Sequence, residues 1–126
     1  MRLLLLGTLL PLLLACEPAP PSIHPSALTA MAAGALVIDV RTPEEFSLGH
    51  YSGAINIPHE QILAGVQSLG IDAQVEMVLY CRSGNRSGQA QRALEAAGFQ
   101  HTINAGGLEG LLSATNTLAV IENTSP

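Results

Sequence analysis

One cysteine followed by two arginines is the part of the sequence best suited to chemistry. The stretch is Cys81-Arg82-Ser83-Gly84-Asn85-Arg86-Ser87. A cysteine reacts as its thiolate, and its pKa of about 8.5 falls at helix N-termini and beside cations. Arginine recognises oxyanions through its planar guanidinium. The stretch therefore predicts a nucleophilic thiolate that meets an anionic substrate.

The flanking segments predict a strand that ends at the cysteine and a helix that follows it. Residues 75–80 form a continuous apolar run typical of a buried strand, and residues 89–98 have a helical pattern that closes at a glycine. Parallel sheets place ligands outside the carboxyl ends of their strands. No histidine or acid lies in the loop to act as a base. We therefore expect unpaired backbone N–H groups and the helix dipole to stabilise the thiolate.

Each of the other loop residues has a predicted role. We expect Arg82 and Arg86 to pair with the oxygens of the substrate, with Arg82 facing it more directly. For Arg86 a second role stays open, in which it ties the loop to Asp39 or to a glutamate. Gly84 permits a backbone turn that a Cβ would obstruct. Short polar side chains are expected to hold the loop's own backbone: Ser83, Asn85 and Ser87.

The charge distribution favours a local anion site over a broad basic surface. The 126 residues fit one domain and carry a net charge of −5. There is no lysine, and two of the five arginines lie in the cysteine loop. A nucleic-acid binder would need a basic face. The histidines show no ligand spacing, so we expect neither a metal site nor a cofactor.

Strands and helices alternate along the chain. The pattern predicts strands at residues 35–40, 54–57, 75–80 and 100–104, with a very short one beginning at Ile23. Thr42-Pro43-Glu44-Glu45 has the form of a capping box. The alternation predicts an α/β fold, a parallel sheet with helices on both faces. Asp39 and Arg41 end a neighbouring strand near the same sheet edge, where a functional and a structural role are both open.

The N-terminus predicts an export signal. Residues 3–14 are almost all leucine but too short to cross a hydrocarbon core of about 30 Å, so residues 1–15 are expected to form a signal peptide. Leu13-Leu14-Ala15-Cys16 resembles the lipobox of bacterial lipoproteins, which implies that Cys16 is lipidated and anchors the protein to a membrane. Residues 16–22 would then be a proline-rich tether. An ordinary signal peptide cut near Ala15, or an uncleaved anchor, is the alternative.

Four blocks of sequence resemble the single-domain rhodaneses in order and spacing. They are LVIDVRTPEEF (36–46), GHYSGAINIP (49–58), YCRSGNRS (80–87) and NAGGL (104–108). The resemblance implies a domain over residues 23–112 with a five-stranded parallel sheet, followed by a C-terminal tail over 113–126. It also implies a sulfurtransferase that moves sulfur from thiosulfate to cyanide or a thiol through a persulfide on Cys81. By the same resemblance, Asp39 and Arg41 support the loop.

Two other functions share features of this cysteine loop. Cysteine phosphatases and arsenate reductases have sites that resemble C-x5-R, whereas Arg86 gives C-x4-R, a tighter cup better suited to one sulfur atom than to phosphate. A sulfur carrier or partner-binding module needs the same cysteine as an enzyme, so the sequence leaves that role open. With the lipid anchor, we expect the protein, whether enzyme or carrier, on the extracytoplasmic side of a bacterial envelope, facing the periplasm. That compartment is oxidising, so a cysteine that stays a free thiol there indicates a function.

Overall fold

The computed structural model describes the backbone of residues 23–123 and the side chains up to residue 116. A signal peptide over 1–15, lipidation of Cys16 and the tether up to residue 22 all lie outside the described residues. No helix within the described part is long and apolar enough to cross a membrane. In chain order the elements are α1 (Pro25–Ala32), β1 (Leu36–Asp39), α2 (Pro43–Ser47), β2 (Ile55–Asn56), a 3₁₀ turn (His59–Gln61), α3 (Ile62–Ser68), β3 (Met77–Cys81), α4 (Asn85–Ala96), β4 (Thr102–Gly107) and α5 (Leu108–Asn123).

The strands form one parallel sheet in the order β2-β1-β3-β4, which confirms the predicted α/β fold. Between residues 23 and 123 the sheet has four strands, so the expected count of five is wrong for this part of the chain. Ile23, where the extra strand was expected, pairs with no strand and packs its partly buried side chain against the core. Its contribution is apolar contact rather than a backbone ladder.

Both faces of the sheet are covered. Strand β3 is fully buried, and its side chains point alternately into two hydrophobic clusters, one on each face. Met77, Leu79 and Cys81 face the cluster that includes Val66 of α3 and Leu94 of α4. Val78 and Tyr80 face the second cluster, which contains residues of α1 and Leu111 of α5. The reactive cysteine is therefore part of the core beneath α4.

The capping-box residues account for the start of helix α2, which follows β1. The Thr42 Oγ1 accepts from the backbone N–H of Glu45 at 3.2 Å, and the Glu45 carboxylate accepts from the N–H of Thr42 at 3.0 Å. Pro43 occupies the start of α2, where its missing N–H costs nothing. The predicted capping box is confirmed.

Three element boundaries differ from those the sequence predicted. Helix α4 begins at Asn85, four residues before the expected start, so Arg86 and Ser87 lie in its first turn. Strand β4 continues to Gly107 because it pairs with β3 as far as Cys81, with an irregularity opposite Leu79 and Tyr80. The predicted C-terminal tail over 113–126 is helical as far as Asn123.

Candidate active site

Cys81 is the last residue of β3, at the carboxyl edge of the sheet. It pairs with Gly107 of β4 and is completely buried. It is the free cysteine of the described residues. The thiol of Cys81 thus lies at the end of β3, just before the loop that leads into α4, as the sequence predicted.

The loop that follows is short and curls back onto the sulfur. Gly84 caps α4 with a φ of 93°, a left-handed conformation that favours glycine. This turn directs the Gly84 N–H at the Cys81 Sγ, which accepts at 2.9 Å. The backbone N–H groups at the start of α4 are therefore gathered around the sulfur, as expected for an anion site at a helix N-terminus.

The side chains of Ser87 and Asn104 stabilise the loop through hydrogen bonds. The Ser87 hydroxyl has one proton, which it shares between the Asn104 Oδ1 at 2.7 Å and the Cys81 Sγ at 3.5 Å. Asn104 also accepts from the Gly106 N–H at 3.0 Å and donates to the Gly84 carbonyl at 2.9 Å. One amide side chain on β4 thereby fixes the turn at Gly84 and the first turn of α4.

These contacts correct the roles predicted for the small polar residues of the loop. The side-chain Oδ1 of Asn85 accepts from the Gln89 side chain on its own helix, and the exposed Ser83 side chain has no polar partner among the described residues. Asn104, a residue of β4, holds the loop backbone instead. It does so from 20 residues away in the chain, beyond the reach of local pattern reasoning.

The environment of Cys81 lowers its pKa. Burial by itself raises the pKa of a thiol, because it disfavours the charged form. The Ser87 hydroxyl and the backbone N–H groups of Ser87, Ser83 and Gly84 donate to the sulfur and outweigh burial, so the pKa of Cys81 lies below its ordinary value. The loop thus stabilises a thiolate without a general base.

The loop and β4 approach each other closely at two glycines. A Cβ on Gly107 would lie 2.5 Å from the carbonyl oxygen of Arg82, and a Cβ on Gly84 would lie 3.1 Å from the Cα of Gly106. Real Cβ atoms do not tolerate the first distance. The backbone of β4 therefore lies too close to the loop for a side chain at Gly107.

The two loop arginines have different surroundings. Arg86 donates to both oxygens of Glu45, at 2.7 and 3.0 Å. Glu45 is the main cause of its raised pKa, and the negative charges of Cys81 and Asp39 add to the effect. Arg82 is exposed and forms no ion pair within residues 23–116. Of the two roles left open for Arg86, the tie to a glutamate is the one this arrangement shows.

Asp39 and Arg41 form a buried ion pair at the end of β1. The Arg41 guanidinium donates to the carboxylate at 2.6 Å and to the Gly49 carbonyl at 2.7 Å. It also lies 5.8 Å from the ring centroid of Tyr80. None of the hydrogen bonds described for this pair reaches residues 82–87. The pair supports the chain around Gly49, and the charge of Asp39 also contributes to the raised pKa of Arg86 in the loop.

The remaining candidates have structural roles or lie apart from the sulfur. His50 stacks on Phe46 with ring centroids 3.6 Å apart, so its role is packing. Among the described residues, no three His, Cys, Asp or Glu side chains are placed to hold a metal ion. An open cavity of about 530 Å³ borders the outer side of the loop at Ser83 and Gly84, but Cys81, Arg82 and Arg86 do not line it.

Glu45 is the residue at this site that sequence reasoning missed. The capping box identified its position in α2, and that local signal was correct. The same carboxylate also binds Arg86, 41 residues further along the chain. Only the packing of α2 against the start of α4 reveals this second contact.

The chain is similar to known proteins over most of the described residues. The sequence model of the rhodanese-like domain matches residues 25–114. The thiosulfate sulfurtransferase PspE of Escherichia coli is 39% identical over 74 residues, which are 59% of this chain and 71% of that protein. The thiosulfate:glutathione sulfurtransferase of Saccharomyces cerevisiae is 32% identical over 78 residues, 53% of this chain and 56% of that protein.

Solved structures show the same fold. A rhodanese from E. coli determined with anions has a TM-score of 0.58 at 38% identity, and the match covers 61% of this chain and 91% of that one. The human single-domain sulfurtransferase TSTD1 has a TM-score of 0.62 at 28% identity, with 75% of this chain and 96% of that chain covered.

Proposed function

The chain belongs to the rhodanese-like domain family, and from this we propose that it is a sulfurtransferase that carries sulfur as a persulfide on Cys81. The donor is thiosulfate or a similar sulfane-sulfur compound, and the acceptor is cyanide or a thiol. The observation that carries the proposal is the Cys81 sulfur, which receives hydrogen bonds from the loop and has a lowered pKa. Relatives named thiosulfate sulfurtransferase support the choice of donor.

The proposed reaction has two displacements at sulfur. In the first, the Cys81 thiolate attacks the outer sulfur of thiosulfate, a new S–S bond forms, and the old S–S bond breaks with its electron pair leaving on sulfite. In the second, cyanide or a thiolate attacks the outer sulfur of the persulfide and leaves with it, which returns the Cys81 thiolate. Neither displacement requires a proton transfer by the protein once Cys81 is ionised. This agrees with a loop that stabilises an anion but holds no base.

The loop suits each charged species in this cycle. The N–H groups around Sγ stabilise the thiolate, and after sulfur loading they can donate to the persulfide. Arg82 is an exposed guanidinium beside the loop and is suited to the sulfonate oxygens of the donor. Arg86 is already paired with Glu45, so Arg82 is the cation that recruits the donor.

Sulfur loading tests the proposal directly. The full chain is incubated with thiosulfate under non-reducing conditions, and the tryptic peptides are weighed by mass spectrometry. We expect one added sulfur atom on the peptide that contains Cys81. The Cys16→Ser variant should load equally, whereas Cys81→Ser should not load. Absence of an adduct on wild-type Cys81 would refute a sulfurtransferase function.

A carrier role uses the same cysteine and is separated from enzymatic turnover by the acceptor. Thiocyanate formation from thiosulfate and cyanide measures turnover with small molecules. A protein that loads sulfur yet releases it slowly to cyanide and to small thiols is a carrier that requires a protein acceptor. Rapid release to either small acceptor favours the enzyme.

We also propose that the protein is a lipoprotein of a bacterial cell envelope, anchored through Cys16. The proposal rests on the lipobox-like Leu13-Leu14-Ala15-Cys16 and the leucine-rich segment before it. Expression of the full chain in a bacterium with a labelled fatty acid should label wild-type protein and not the Cys16→Ser variant. Equal labelling of the two would contradict this site.

A further inference from the structure

Glu45 joins two parts of the molecule that are far apart in sequence. Its Oε2 accepts from the Thr42 N–H at 3.0 Å, which completes the capping box of α2. The same atom accepts from Nη1 of Arg86 at 2.7 Å, and Oε1 accepts from Nη2 at 3.0 Å. Both side chains are partly buried, with 31% of Glu45 and 26% of Arg86 exposed. The carboxylate is thus oriented by its own helix before it binds the guanidinium.

The ion pair changes the charge that the sulfur site presents. The loop carries two arginines, but the charge of Arg86 is compensated by Glu45 at hydrogen-bond distance. The pKa of Arg86 is raised first by its hydrogen bonds to Glu45 and also by the charge of Cys81, so the guanidinium interacts with both the carboxylate and the sulfur. Arg82 therefore supplies the uncompensated positive charge of the loop.

We propose that Glu45 is a specificity-determining residue, which masks the charge of Arg86 and so sets how strongly the sulfur site prefers anionic over neutral reactants. The inference rests on the proposed sulfur transfer at Cys81. Thiosulfate enters as an anion and sulfite leaves as an anion. If the charges of both Arg82 and Arg86 were uncompensated, the site would bind thiosulfate and sulfite more tightly. Because Glu45 compensates the charge of Arg86, sulfite is released more easily.

Two alkylating reagents measure this charge without any sulfur transfer. Iodoacetate is an anion and iodoacetamide is neutral, and both alkylate a thiolate. The ratio of their rate constants at Cys81, followed by mass spectrometry of the Cys81 peptide in the full chain, reports the local electrostatic field. A variant that only loosens the loop changes both rates together and leaves the ratio unchanged.

The Glu45→Gln variant should raise the iodoacetate-to-iodoacetamide ratio about two- to fivefold, the range expected for one partly exposed charge pair. Glu44→Gln is the matched control. It removes the same charge from the same helix, but the Glu44 side chain is exposed and has no described partner, so its ratio should stay near that of the wild type. The double variant Glu45→Gln/Arg86→Gln removes both charges and should return the ratio to the wild-type value.

Several results would overturn the proposal. They are an unchanged or lower ratio in Glu45→Gln, an equal rise in Glu44→Gln, and no labelling of wild-type Cys81 by either reagent. If Glu45→Gln does not fold, Arg86→Gln decides the matter, since it leaves Glu45 uncompensated and should lower the ratio. A protein that shows these ratios but never gains sulfur from thiosulfate would refute the proposed function and leave the charge assignment of Glu45 intact.

Discussion

The backbone N–H of Gly84 donates to the Sγ of Cys81 across 2.9 Å. Because Gly84 also caps α4 with a positive φ, one residue both turns the chain and supplies a donor to the sulfur. The charge of a thiolate or persulfide is thereby met by backbone dipoles that need no rearrangement during reaction. Under the proposed function, the loop arginines would select the reactants rather than ionise the thiol.

The Ser87 hydroxyl is expected to control the pH at which Cys81 becomes reactive. Its donation to the sulfur favours the thiolate, so the Ser87→Ala variant should have a higher Cys81 pKa than the wild type. The thiolate fraction grows as the pH rises through the pKa. The variant should therefore react more slowly at neutral pH and reach the wild-type rate only at higher pH. The pH dependence of iodoacetamide alkylation measures both midpoints.

Ser83→Ala is the control for this experiment. Its side chain is exposed and without a described polar partner, and the variant keeps the backbone N–H that faces Cys81. Its pH profile should match that of the wild type. A shift as large as that of Ser87→Ala would mean that the hydroxyl of Ser87 is not the cause.

Replacement of Gly84 by alanine should damage stability and sulfur loading together. The left-handed φ of 93° and the 3.1 Å approach to Gly106 leave no relaxed position for a Cβ. Such strain costs about 1–3 kcal/mol. The turn that aims the N–H at Cys81 should also distort, so loading by thiosulfate should slow. Gly70→Ala is the control, because Gly70 also has a positive φ, of 67°, but an added Cβ there would meet open space. This variant should lose stability in urea unfolding but load sulfur normally.

Asn104 is expected to matter for reactivity, whereas Asn56 is expected to matter for stability alone. The Asn104→Ala variant loses the contacts to Ser87, Gly106 and the Gly84 carbonyl, at a cost of about 1–3 kcal/mol. Asn56 donates two hydrogen bonds, to the backbone carbonyls of Asp39 and Arg41, and neither acceptor belongs to the cysteine loop. Both variants should unfold at lower urea concentration. Slow sulfur loading in Asn56→Ala as well would show that general loosening, not the loop, limits the reaction.

The fold and the reactive cysteine could be predicted from the sequence because their signals are local. The apolar run before Cys81 predicted a buried strand, and the Thr42 capping box predicted the start of α2. The early start of α4 was missed because Arg86 and Ser87 resemble loop residues, and only the turn at Gly84 makes them helical. The extension of β4 was missed because Ala105, Gly106 and Gly107 have weak strand propensity, and pairing with β3 determines their conformation.

The contacts that complete the site could not be predicted because they join distant parts of the chain. Asn104 reaches the loop from β4, and Glu45 reaches it from α2. A capping-box glutamate has a sufficient local explanation, so nothing in the sequence indicated a second partner. The direction of the Arg41 guanidinium, toward Asp39 and Gly49 instead of the loop, likewise depends on burial beside Tyr80.

The Glu45–Arg86 ion pair should make the stability of the fold sensitive to acid. The hydrogen bond from Arg86, followed by that from the Thr42 backbone, lowers the pKa of Glu45 from 4.5 to about 2. A folded-state pKa below the unfolded value means that the stabilisation is complete above about pH 4.5 and is lost as the pH falls toward 2. At neutral pH we expect Glu45→Gln to be less stable than the wild type by about 1 kcal/mol, a value reduced for solvent screening of a partly exposed pair.

Urea unfolding across this pH range measures the effect. The difference in unfolding free energy between wild type and Glu45→Gln should shrink as the pH is lowered from 4.5 and disappear only below about 2, where the wild-type carboxylate is mostly protonated. Other carboxyl groups titrate in the same range, but they are common to both proteins and cancel in the difference. Glu44→Gln, which loses a carboxylate without a described partner, should differ little from the wild type at any pH. A Glu45→Gln difference that stays constant from neutral to acid pH would show that its cause is packing and not the charge of the ion pair.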